Sequence, residues 1–166
     1  MKNLKILFLI AFSFVIAHSA FALDCKNGNY AASDECWTTV TVDPLATTPV
    51  VKGTVLEYSF ASGSAEQAGY LVSPSNASSD WTHIAGVAQK PIATGDTANV
   101  LVRGHGFIQA KQSSNFTSGD ALWVSTTHDV GSVISATGAR PIGFALQSQS
   151  GGAGTASTID AYITVV

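Results

Sequence analysis

From residue 23 onward no segment sustains apolar residues at three- and four-residue spacing with helix formers between them, so helix is limited to a turn or two. Ser, Thr, Gly, Ala and Val dominate, and the β-branched members favour half-buried pleated surfaces. Trp37-Thr38-Thr39-Val40-Thr41-Val42 alternates until Asp43-Pro44 stops it. Val50-Val51 leads through Gly53 into residues 54–60, where alternation predicts a strand with Leu56, Tyr58 and Phe60 facing the core. Val55, Glu57 and Ser59 then face away. From Gly69 short strands follow at intervals of about 8 to 15 residues, divided by the turn-rich runs 74–80, 93–96 and 118–120. Arg103-Gly104-His105-Gly106-Phe107 sets two glycines inside a strand pattern, which predicts a bulge or a close backbone contact. Residues 148–157 form a Gly/Ser/Ala loop before a final strand at 158–166. This spacing is that of an all-β domain, a small barrel or sandwich of short antiparallel strands.

Residues 70–165 state one pattern twice. Leu71-Val72-Ser73, Ile84-Ala85-Gly86-Val87-Ala88 and Asn99-Val100-Leu101-Val102 form the first copy. Trp123-Val124-Ser125, Ile142-Gly143-Phe144-Ala145 and Asp160-Ala161-Tyr162-Ile163 form the second. The glycine follows Ile84 after one residue but follows Ile142 directly, so the copies are imperfect. The repeat describes a scaffold and carries no catalytic group.

The N-terminus adds a destination. Lys2 and Lys5 precede an apolar stretch from Ile6 to Ala17, and Ala20-Phe21-Ala22 is a small-x-small cleavage site, together an export signal. The stretch is shorter than the roughly 20 apolar residues of a spanning helix, so no membrane span is expected after cleavage. Expected boundaries are 1–22 for the signal, 23–60 for an extension with a disulfide loop and strands, and 61–166 for the repeated β domain. Cys25 and Cys36, the two cysteines of the chain, would reach an oxidising compartment, where a disulfide is the natural outcome. Two thiols do not make a tetrahedral metal site, and ten intervening residues are not a Cys-x-x-Cys redox motif.

Charge then excludes partners. Without residues 1–22 the chain holds six Lys/Arg against eleven Asp/Glu, a net charge of −5, and it lacks a basic cluster. Such a surface repels phosphate backbones, so nucleic acid is not an expected partner. Charged residues are 11% of the chain, well below the roughly 25% of an ordinary domain, a composition suited to burial against other copies.

Candidate chemistry is sparse. His83, His105 and His128 stand in three segments without metal-ligand spacing. Gly-x-Ser-x-Gly, His-Glu-x-x-His and a phosphate-cradling glycine loop are missing from the sequence. Asp96 and Asp120 follow glycines in turns, where they cap backbone. No catalytic residue, cofactor or metal is therefore expected. Trp123 is expected in the core, and Trp81 beside a loop is the exposed tryptophan, suited to stacking on a sugar or to burial against a neighbouring subunit. Trp81, His105 and Phe107 are the candidate surface or interface contacts.

Residues 69–165 resemble phage head decoration, or capsid cement, proteins. The resemblance lies in residues 84–96 (IAGVAQKPIATGD), in Phe107-Ile108-Gln109-Ala110, in residues 117–124 (TSGDALWV) and in residues 139–145 (ARPIGFA). It implies a small β domain, often trimeric, that binds a capsid lattice and reinforces it without catalysis. The export signal and cysteine pair depart from that family's cytosolic assembly, leaving two destinations: the virion, or the periplasm, cell surface or exterior. A secreted glycan-binding or adhesin module is the alternative from a different functional class.

Overall fold

The structure, a computed structural model, describes residues 24–25, 35–59, 71–75, 83–111, 114–125, 131–135, 141–150 and 157–165. Among the described residues it contains ten strands and no helix. These are β1 (Asp24–Cys25), β2 (Cys36–Val42), β3 (Val55–Tyr58), β4 (Leu71–Pro74), β5 (Ile84–Val87), β6 (Thr97–Ala110), β7 (Ala121–Val124), β8 (Val133–Ser135), β9 (Gly143–Ala145) and β10 (Ser157–Thr164).

Strand pairing closes two five-membered rings. The first runs β2-β4-β3-β5-β6 and returns to β2; the second runs β6-β8-β7-β9-β10 and returns to β6. Both have the same topology, with the first and third strands in chain order parallel (β2 with β4, β6 with β8) and the other neighbours antiparallel. Closure gives every strand of a ring two neighbours. β6 serves twice, since Thr97–Arg103 pair with β2 and Arg103–Ala110 pair with β10. The turn between its halves is built from a register shift opposite Cys36/Trp37 and from Gly104 at φ 125°. A bulge and a glycine in positive φ bend a strand where a β-branched residue would resist. The bulge falls at Val102, just ahead of the stretch 103–107 where it was expected, and residues 103–107 themselves pair with β10 in unbroken register.

The rings correspond residue by residue. Leu56 opposes Gly86, and Leu122 opposes Gly143; Tyr58 opposes Val72, and Val124 opposes Val133. Gly53 N–H donates to the Ala88 carbonyl at 2.7 Å, as Gly119 N–H does to Ala145 at 2.8 Å. The bridge between Val50 and Ile92 has its counterpart between Phe116 and Gln149. β3 thus matches β7, β4 matches β8, β5 matches β9 and β6 matches β10. In this register the strand at 71–73 matches β8, not residues 123–125, and the glycines of β5 and β9 are equivalent. The uneven spacing after Ile84 arises because the β3–β5 pairing shifts register between Leu56 and Glu57, leaving Ala85 as the extra residue.

Each ring encloses its own core. Val40, Val42, Leu56, Val72, Ala85, Ala88 and Val100 fill the first, and Ile108, Ala110, Leu122, Val133, Ala145, Ile159, Ala161 and Ile163 fill the second. Val55, Ile84, Val87 and Leu101 join the second cluster although their strands belong to the first ring. They line the outside of the first barrel, where the second barrel covers them.

Several expectations change in three dimensions. The strands are not all short or all antiparallel, since β6 has 14 residues and two pairings are parallel. Leu56 faces a core and Tyr58 packs on it, as the alternation implied, yet Val55 on the opposite face is equally buried. Period-two alternation presumes one wet face, and the second barrel removes it. β2 and β3 close a ring with β4–β6, so hydrogen bonding crosses the boundary expected after residue 60. Cys25 and Cys36 are register partners across β1 and β2; the side chain of Cys25 lies outside the described residues. So do the expected signal at 1–22, Phe60, Trp81 and His128.

Candidate interface on the second barrel

The glycine-interrupted strand presents alternate residues outward. Gly104, Gly106, Ile108 and Ala110 are buried, whereas Arg103 and His105 are exposed and Phe107 is partly so. His105 opposes Tyr162 on β10, and Tyr162 in turn opposes Phe144 on β9. The three side chains form a row across one sheet surface, because directly opposed residues point to the same face. A second row follows, with Phe107 opposite Asp160 and the Leu146 N–H donating to the Asp160 carbonyl at 2.9 Å. Two of the three expected contact residues thus share a surface with Phe144, Leu146 and Tyr162. The third, Trp81, lies outside the described residues.

Local chemistry holds this surface in place. The Lys52 ammonium sits 3.2 Å from the Phe107 ring centroid, a cation–π contact that spans the two barrels. Gln89 clamps the backbone beneath, its Oε1 accepting from Phe107 N–H at 2.8 Å and its Nε2 donating to the Phe107 carbonyl at 3.0 Å. Gly106 leaves room for this packing, since a Cβ there would lie 2.6 Å from Leu101 Cδ2 and 2.8 Å from Gln89 Oε1 and would push both side-chain ends aside. Arg103 Nε donates to the Tyr162 hydroxyl at 3.5 Å. Asp120, expected as a turn cap, accepts from Thr117 N–H at 2.9 Å and from Ser135 Oγ at 3.1 Å.

Among the described residues no three His, Cys, Asp or Glu side chains gather into a possible metal site, and His83 lies on a different segment from His105. Trp37 donates its indole N–H to Glu35 at 3.2 Å. Trp123, expected in the core, is half-buried, and its enclosed Nε1 has no hydrogen-bond partner among the described residues. Phe144, Leu146 and Tyr162 were not singled out by sequence reasoning. The alternation that buries Gly143 and Ala145, and Ala161 and Ile163, is the signal that turns Phe144 and Tyr162 outward.

No helix among the described residues is long and apolar enough to cross a membrane. No curated protein matches the chain. Among solved structures, the N base of the head fiber gp8.5 of bacteriophage phi29 is similar with a TM-score of 0.49 and 19% sequence identity, over 79% of this chain and 95% of that one. The family model described as phage cement protein matches residues 50–159, a span that takes in β3 to β9 and the start of β10, and on that match the chain belongs to the phage cement protein family.

Proposed function

We propose that this chain is a non-enzymatic structural protein of the virion that coats a capsid surface and associates there with other copies of itself. The family match over residues 50–159 carries the reading. Its support in the fold is two closed barrels in which every strand has two neighbours, joined through one shared strand. A low-charge surface and an outward row of His105, Tyr162 and Phe144 suit protein–protein contact, where aromatic residues are enriched and charge is depleted.

Export of the chain by residues 1–22 and a Cys25–Cys36 disulfide belong to the same proposal. Directly opposed residues of antiparallel strands fall within the Cα separation of about 4.4–6.8 Å that a disulfide spans. N-terminal sequencing of the protein recovered from virions tests the cleavage: a chain beginning at Leu23 is expected, and one beginning at Met1 would refute it. The glycan-binding alternative rested on Trp81 and gains no separate observation.

Co-sedimentation with capsids of the phage or prophage that carries the gene tests the coat function. Saturable binding that raises the capsid's resistance to heat is expected. Capsids that pellet without the protein at saturating concentration would refute it.

A further inference from the structure

The two barrels share one topology but stand in different surroundings. On the outside of the first, Val55, Val87 and Leu101 are each 0% exposed and pack with Ile108, Leu122 and Ile159 of the second barrel. That seam is tight, since a Cβ on Gly53 would lie 2.7 Å from the Gln109 backbone nitrogen. Register equivalence places Ala121, Phe144 and Tyr162 at the same stations on the outside of the second barrel, with Gly119 where Gly53 stands and Leu146 where Gln89 stands. There the seam is open. Phe144 is 41% and Leu146 47% exposed, and a Cβ on Gly119 meets nothing within 4 Å.

We infer that the face of the second barrel formed by Ala121, Phe144, Leu146 and Tyr162 docks a second copy of this chain. Within the chain, the equivalent face of the first barrel is seated against a barrel of the same topology, and every further copy brings such a barrel. The apolar side chains sit beside polar ones, Asp120, Ser118 and His105, as at an interface with a dry centre and a wet rim. Among the described residues four large apolar side chains are exposed, and two of them, Phe144 and Leu146, are neighbours here, which a tandem array terminating in water would be expected to replace with polar groups. The docking deepens the proposed coat function, on whose self-association it rests, while capsid binding remains a separate property.

The test uses the purified chain, light scattering over a wide concentration range, and capsid co-sedimentation in parallel. The unmodified protein is expected to form an oligomer. Phe144→Asp and Leu146→Asp each raise its dissociation constant at least about tenfold, with circular dichroism unchanged. Leu45→Asp, at a side chain 80% exposed and outside this face, leaves association intact. Should Phe144→Asp fail to fold, Leu146→Asp alone decides. A protein monomeric at every concentration, or one in which the face variants still associate, overturns the inference. Loss of capsid binding by the face variants of a monomeric protein also overturns it, assigning the face to the shell and leaving the coat function standing. Association through this face without capsid binding supports the inference and removes the coat function alone.

Discussion

Val87 and Phe144 occupy the same register position in two copies of one barrel, yet Val87 is fully buried and Phe144 is 41% exposed. The difference comes from what lies above each. The second barrel covers Val87, and among the described residues no barrel covers Phe144. Identical local structure therefore meets different energetics, and the pairs of equivalent residues supply internally controlled experiments.

Gly53→Ala and Gly119→Ala form the first such pair. Both glycines have positive φ, 86° and 95°, so each alanine incurs about 1–2 kcal/mol of left-handed strain. Gly53→Ala adds a collision with backbone atoms of Ile108 and Gln109 at 2.9 and 2.7 Å, and rigid backbone cannot give way cheaply. Urea denaturation is expected to show Gly53→Ala at least about 2 kcal/mol less stable than Gly119→Ala. Equal losses would mean that the two barrels do not touch as described.

Gln89 joins the barrels by two hydrogen bonds to the Phe107 backbone. Gln89→Ala leaves those bonds unmade in a partly buried place and is expected to cost about 1–3 kcal/mol. Its equivalent Leu146 is exposed, so Leu146→Ala should stay within about 0.5 kcal/mol when the protein is measured as dilute monomer. Chemical denaturation of both variants gives the comparison.

Because β6 closes both rings, neither barrel can unfold while the other keeps all its strands. Single-tryptophan variants retaining Trp37 in the first ring or Trp123 in the second are expected to report one coincident urea transition. Leu101→Ala, at a fully buried seam residue, should lower both midpoints together at a cost of about 2–5 kcal/mol. Two separated transitions would contradict a shared strand.

The proposed Cys25–Cys36 bridge closes a short loop, for which chain-entropy arguments give about 3 kcal/mol. Cys36 is 5% exposed, so reduction should be slow without denaturant and should lower the midpoint once complete. Intact-mass measurement before and after reduction in denaturant checks the bond itself; an unchanged mass would exclude it.

Much of the β organisation was legible in the chain. Strand positions, the Gly-Asp turns at 95–96 and 119–120 and the positive φ of Gly104 follow from local chemistry, because side-chain alternation and positive φ are properties of a few adjacent residues; the bulge itself falls one residue before the stretch 103–107, at Val102. The same is true of the repeat in outline, since Gly86 and Gly143 and the strands at 99–102 and 160–163 are equivalent. Its first element was misaligned: β4 matches β8, and the pairing of short Val/Ser strands leaves no local trace of which partner each takes. Pairing is a choice between distant segments, so register, the two parallel neighbours and the double use of β6 appear only when the rings close. The same holds for the face of Phe144, Leu146 and Tyr162. Sequence alternation turns Phe144 and Tyr162 outward, but only tertiary packing decides that outward means a buried seam for Val55, Val87 and Leu101 and an open surface for their equivalents.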